Sequence, residues 1–281
     1  MGSVSLRTVA ATIVMAAGMS ACAAEPSAPT TPTSPTSPTV GGSAPPTTGP
    51  RAFPDPAPQG AVRAAEPDVP GPENLDLIEA SAQPDGGGAD GIEVVFDRTS
   101  RTATGEKPAA PRRFVFLFDQ SVSFHPEVFP VCERAVIASR GFAGCPEGSR
   151  IGGGHADTFP GRTAELAVFN TRYADGARGM LITVPATGAI FENTFEPLVE
   201  PYRGVYRVGS DEILPTSPVP PGERAASSRF RVTFGATRRD GDQVHSFVRS
   251  NAAPGTPLRF GYWGEFVTGQ VVQVEDEVAR P

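Results

Sequence analysis

Arg229-Phe230-Arg231-Val232-Thr233-Phe234, then Asp240-Gly241-Asp242, then residues 243–248, decide the fold class. In an extended chain Phe230, Val232 and Phe234 share one face while Arg229, Arg231 and Thr233 share the other, a period of two. That is a strand with one face on a core and the other in water. Asp-Gly between two such runs is a strong hairpin signal, so 228–237 is expected to pair with 243–248. A second hairpin is expected upstream, 165–172 with 178–184 across Ala174-Asp175-Gly176.

The same period spreads outward from these hairpins. Ile92-Glu93-Val94-Val95-Phe96 reads as a strand, preceded by another over 75–79, and further strands are expected over 259–264 and 266–274. Phe114-Val115-Phe116-Leu117-Phe118 is apolar on both faces, as a central strand must be. The one helical candidate is 131–140, with Pro130 at its start and Gly141 just past its end. Many short antiparallel strands with Gly and Pro turns predict an all-β domain, an antiparallel β-sandwich with one short helix. Sixteen of the 17 Phe residues follow residue 90, enough for a core that needs no metal to fold.

The N-terminal quarter is a different material. Residues 1–21 read as a signal peptide: Arg7, an apolar run over 9–19, then small residues. Met19-Ser20-Ala21-Cys22 resembles a bacterial lipobox, with Met19 where the pattern prefers Leu. The resemblance implies cleavage after Ala21 and acylation of Cys22, and two or three acyl chains anchor a protein stably. Twin arginines are absent, which points to the general secretion route. Residues 22–72 form a Pro/Thr/Ser-rich linker, densest at Pro29-Thr30-Thr31-Pro32-Thr33-Ser34-Pro35-Thr36-Ser37-Pro38. With 14 of the 31 Pro and a single aromatic residue, Phe53, it is expected to be a disordered stalk of polyproline II character. The β domain is then expected over 73–281.

The remaining cysteines, Cys132 and Cys145, are an isolated pair that outside the cytoplasm is expected to form one disulfide. Closing a loop of about 14 residues stabilises by roughly 3 kcal/mol in the chain-entropy account and pins the helix to the turn after it. Their spacing is not Cys-x-x-Cys, and no usual zinc spacing joins them to His125 or His155. Around the pair, Phe124-His125-Pro126-Glu127-Val128-Phe129-Pro130-Val131-Cys132 and Cys145-Pro146-Glu147-Gly148-Ser149-Arg150-Ile151-Gly152-Gly153-Gly154 form a motif, F-P-x-C then C-P-x-G-S-x-[IV]-G-x-G. It resembles a family of actinobacterial secreted proteins and lipoproteins. The match covers about 40 residues and continues loosely into Leu166-Ala167-Val168-Phe169-Asn170. Where many members carry a further Cys-Pro, this chain has Asn251-Ala252-Ala253-Pro254. The resemblance implies a secreted all-β fold and no established activity. A single Lys, Lys107, beside 23 Arg fits a GC-rich genome of that kind.

Function is less legible. A net charge of −7 gives no basic excess for nucleic acid. The glycine run 148–154 lacks the Lys-Ser/Thr ending of a phosphate loop, and a strand or turn with close backbone approach accounts for it. No Gly-x-Ser-x-Gly elbow occurs, and His125, His155 and His245 are scattered, with no signature joining them to Asp119, Asp157 or a serine. No catalytic residue, cofactor or metal ligand is assigned. Tyr202 and Tyr206, in a long loop over 197–221, and Tyr262-Trp263 are the candidate binding surface. The sequence thus predicts a non-enzymatic envelope lipoprotein on the outer face of the cell membrane, held by its lipid. Its partner would be a cell-wall glycan or an envelope protein. Glycan or lipid binding, and a secreted hydrolase of unrecognised type, are the alternatives.

Overall fold

The computed structural model describes residues 53–61, 63–214 and 217–281. The signal peptide, Cys22 and the Pro-rich repeat lie outside the described residues. In chain order the strands are β1 (Leu75–Pro84), β2 (Ile92–Arg101), β3 (Pro111–Asp119), β4 (Val122–Phe124), β5 (Arg150–Thr158), β6 (Arg162–Arg172), β7 (Arg178–Val184) and β8 (Ala189–Pro197). They continue as β9 (Tyr206–Ile213), β10 (Ser227–Phe234), β11 (Thr237–Asp240), β12 (Gln243–Ser246), β13 (Val248–Ser250), β14 (Pro257–Phe266) and β15 (Val271–Ala279). The helix α1 is Arg134–Arg140.

Eleven strands form one antiparallel sheet in the order β1-β2-β10-β5-β6-β7-β8-β9-β3-β14-β15. The sheet is nearly closed into a barrel, and the all-β antiparallel class expected from the sequence holds. Its two edges meet side chain to backbone: the Ala80 amide donates to the Asp276 carboxylate at 2.8 Å. The walls interdigitate as in a sandwich. Phe96 of β2 reaches Phe116 and Phe118 of β3, Phe260 of β14 and Phe234 of β10, with ring centroids 4.9–6.0 Å apart, the spacing that edge-to-face rings prefer.

The doubly apolar 114–118 run lies in β3, between β9 and β14. Phe114, Phe116 and Phe118 face the barrel core, while Val115 and Leu117 face outward into a second cluster with Ala57, Leu198, Tyr202, Tyr206 and Trp263. Part of that outer cover is unexpected. Residues 53–61 and 63–72, read from sequence as the end of the disordered stalk, pack on the domain. Ala57 is buried, Asp55 pairs with Arg113, Arg63 donates to Asp211 at 2.6 Å and the Val69 amide donates to the Val267 carbonyl at 3.0 Å. Local composition hid this because the partners that order the segment lie up to about 200 residues away, as with Val69 and Val267.

Three local expectations shift. The helix starts at Arg134 rather than Val131, because the Cys132 amide is held by the Asn170 carbonyl at 2.9 Å, keeping residues 131–133 extended. The long strand expected over 228–237 breaks after Phe234: the Gly235 amide still donates to the Ile151 carbonyl of β5 at 2.9 Å, but the chain then departs from the barrel, and the hairpin partner of β12 is β11 alone. Finally, about a third of the expected loop 197–221 is β9, a central strand hydrogen-bonded to both β8 and β3.

Glycine does what close approach requires in β5. A Cβ on Gly152 or Gly154 would come within 1.9–2.0 Å of the Thr233 or Arg231 carbonyl oxygen of β10, so the run 148–154 is a tight turn and strand, as its sequence suggests.

Candidate functional site

The four aromatic residues expected at a binding surface are interior. Tyr202 and Tyr206 are 2% exposed, and Tyr262 and Trp263 are fully buried. None of them offers a face to a ligand, because each side chain is spent on the fold. The Tyr202 hydroxyl donates to the Pro54 carbonyl at 2.8 Å, and Tyr206 donates to Glu275 at 2.9 Å. Trp263 lies under the Arg113 guanidinium, 5.4 Å from its ring centre. Burial, with Asp55 nearby, pushes the Tyr202 phenol up to about 12.

The cysteine pair is joined. Cys132 and Cys145 are disulfide-bonded with Cα atoms 5.2 Å apart, and Cys132 packs with Ile137, Ala167, Phe169, Leu181 and Ile190. The bridge thereby clamps α1 onto the outside of β6 and β7, a structural role.

Two polar constellations remain, one inside the barrel and one on its rim. The interior one begins at β2, where Arg98 continues the inward series of Ile92, Val94 and Phe96. Arg98 is 1% exposed. Its Nε donates to Asp76 Oδ2 at 2.7 Å and its Nη1 to Ser227 at 3.1 Å, while the guanidinium sits 5.1–5.6 Å from the rings of Phe114, Tyr262 and Phe266, within cation–π range. Burial opposes the Arg98 charge, yet Tyr262 and Asp76 hold its pKa above the ordinary value. Glu212 of β9, also 1% exposed, stands opposite Phe114 on one side and Asn193 on the other. Burial pushes its carboxyl up to about 8, against the pull of Arg63 and Arg98 and with a push from Asp211, so at neutral pH it holds its proton. Gly264 makes room for the Tyr262 ring, whose hydroxyl lies 2.5 Å from where a Cβ would stand. Arg98, Tyr262 and Glu212 are each buried from solvent.

The rim constellation lies at the opposite end of β2, just before Ile92. A polar pocket of about 90 Å³ is lined by Gly87, Asp90, His125, Val128, Val244, His245, Ser246 and Arg249. It is shaped by three connected pieces: the turn between β1 and β2, the segment after β4, and the β12–β13 step. Arg249 Nε donates to Asp90 Oδ2 at 2.6 Å, and the Arg249 hydrogen bond holds the Asp90 carboxyl below its ordinary value despite partial burial. Ser246 Oγ donates to Asp85 at 3.1 Å, and the Gly87 amide donates to the same Asp85 oxygen at 2.8 Å. His125 Nδ1 lies 3.6 Å from Glu127.

Two of the three scattered histidines thus meet here, a convergence that sequence spacing did not reveal. The third, His155, lies on β5 opposite Glu165 and Arg231. The acids considered as triad partners serve elsewhere: Asp119 accepts from the Ser121 and Arg259 amides, and Asp157 from the Thr163 hydroxyl. Ser246 is 4% exposed and its hydroxyl proton is directed at Asp85, which is no arrangement for a nucleophile and its histidine base. Among the described residues no three His, Cys, Asp or Glu side chains are grouped to hold a metal ion, and no helix is long and apolar enough to cross a membrane.

Compared with protein-family models, with curated proteins and with solved structures, the chain matches none.

Proposed function

We propose that this chain is a lipid-anchored protein of the cell envelope, displaying its β domain on the outer face of the membrane and acting there by binding, without catalysis. The observation that carries the reading is Cys22 itself, placed after Met19-Ser20-Ala21 and before a Pro-rich stretch. Acyl chains on Cys22 anchor the chain, and an extended stalk gives the domain reach away from the bilayer at about 3.1 Å per residue. The Cys132–Cys145 bridge suits an oxidising compartment, and the motif around it supports kinship with actinobacterial secreted lipoproteins.

Between the two ligand classes considered, a glycan is favoured over a lipid. The barrel centre is filled by phenylalanine rings rather than hollow, whereas the rim pocket is lined by groups that hydrogen-bond.

Anchoring is tested by Cys22→Ala in an actinobacterial host. The parent chain is expected to incorporate labelled palmitate and sediment with membranes, and the variant to do neither. A variant that still labels and sediments overturns the assignment.

A further inference from the structure

The geometry points to the rim pocket as a binding site for the vicinal hydroxyl groups of a neutral sugar. The inference rests on the reading of the domain as an extracytoplasmic binder and names what it binds. The first argument is charge. Asp90 and Arg249 form a half-exposed ion pair in which Nε and Nη2 both donate to the one carboxylate oxygen Oδ2, so their charges cancel where a ligand would enter. Asp85, behind Ser246, is occupied by the Ser246 hydroxyl and the Gly87 amide, and His125 stands beside Glu127. With Arg249 spent on Asp90 and the Asp85 and Glu127 carboxylates close by, no positive excess is left to draw an anion.

The second argument is hydrogen-bond grammar. A carboxylate accepts only, a guanidinium donates only, and a neutral imidazole does one at each nitrogen. Asp90, Arg249, His125 and His245 therefore present a mixed set of acceptors and donors around one small cavity. Adjacent hydroxyls of a sugar ring offer the same mixture, each hydroxyl both giving and taking a hydrogen bond. A charged oxyanion would use only the donors and would face the Asp90 carboxylate, and an apolar ligand would strand all four. Bonds to the ionised partners are the stronger ones, so Asp90 and Arg249 should supply most of the affinity.

The third argument is size. A cavity of about 90 Å³ is well below the roughly 300 Å³ and more that engulfs a cofactor-sized molecule. It admits one edge of a ring, as a terminal or branching residue of a longer glycan would present. Such a shallow contact with a single sugar gives millimolar affinity, about −4 kcal/mol, raised when several copies on one membrane engage one polymer.

The test is a titration of the full chain, selectively labelled at histidine, followed by nuclear magnetic resonance with galactose and N-acetylglucosamine as probes and inorganic phosphate as the rival. The resonances of His125 and His245 should shift and saturate with at least one sugar, while His155, on the outer wall, stays fixed. Asp90→Asn combined with Arg249→Gln should weaken that sugar about tenfold, consistent with loss of charge-assisted bonds, with an unchanged far-ultraviolet spectrum showing that the barrel is intact. Three results overturn the proposal: no shift with either sugar up to about a hundred times the millimolar range expected of one contact, equal shifts at all three histidines, or phosphate saturating the site below the sugars. None of these bears on palmitate labelling, and loss of labelling at Cys22 leaves the titration unaffected, so the two readings fail separately.

Discussion

Along β2 the inward side chains change character. Ile92, Val94 and Phe96 meet an interior of phenylalanine, while Arg98 and Ser100, further along the same face, meet Asp76, Tyr262 and Glu212. The first half gains stability from apolar area and ring geometry, which ask only for volume and fit. The second half has taken charges out of water, and buried charges repay their desolvation only when they are paired and hydrogen-bonded. The contrast teaches that one alternating pattern can build either kind of interior, and that the polar kind tolerates far less change.

The largest expected effect follows directly. Arg98→Met removes the partner of the buried Asp76 carboxylate and should cost about 3–5 kcal/mol in urea unfolding at neutral pH. Replacing both partners, Arg98→Met with Asp76→Leu, should recover most of that loss, because no uncompensated charge remains. At the aromatic end Phe96→Leu, which keeps the apolar character, should cost only about 1–2 kcal/mol. If Arg98→Met costs no more than Phe96→Leu, the two halves are not different in kind.

The aromatic half was legible in the sequence and the polar half was not. Phe230, Val232 and Phe234, and the 114–118 run, state their burial through period two, since apolar alternation has one common cause. Arg98 sits at the correct step of that period, but an arginine there reads as the end of the buried face. In β9, Ser210-Asp211-Glu212 is polar on both faces because Glu212 turns inward while Asp211 turns outward to Arg113 and Arg63; a central strand written in polar residues looks like a loop. The same pairing across long sequence distances orders residues 53–61 and 63–72, which composition alone assigned to the stalk. The rim pocket was hidden for a related reason. His125 and His245 are 120 positions apart, and only the barrel closes the distance. Tyr202, Tyr206, Tyr262 and Trp263 were misjudged in the other direction, because aromatic residues in a long loop or beside a turn carry no mark that separates a ligand platform from a core.

The buried carboxyl makes a second prediction, smaller per pH unit than the loss of Arg98. Unfolded, Glu212 titrates near its ordinary 4.5, and folded it titrates at about 8. Below 4.5 both states hold the proton. Between 4.5 and 8 only the folded state does, so this group's contribution to stability falls as pH rises, by at most about 1.4 kcal/mol per pH unit, and it levels off above the folded value. Glu212→Gln keeps the shape and removes the titration. Its unfolding free energy should therefore lose that slope and exceed the parent's increasingly toward pH 8. Parallel pH profiles for the two proteins would show that Glu212 does not titrate in this range, and would remove the claim that the polar half holds a neutral acid.

Glu66 is the counterpart outside the barrel, and it gives the smallest effect. Its carboxylate accepts from Arg224 at 2.7–2.8 Å and from Arg112 at 3.1 Å, tying the 63–72 segment to β3 and to the turn before β10. The Arg224 hydrogen bond outweighs partial burial and holds its pKa below the ordinary 4.5. The sign is the reverse of that for Glu212: the contribution is fully present above about 4.5 and is lost as pH falls through the lowered folded value. Because solvent reaches this group, Glu66→Gln should cost about 1 kcal/mol or less at neutral pH, and the cost should shrink as salt screens the pairs. The buried Arg98–Asp76 pair, shielded from ions, should show almost no salt dependence. Measuring both variants at low and high ionic strength then separates the two environments directly, since equal salt sensitivity would mean that the end of the barrel holding Arg98 is open to solvent.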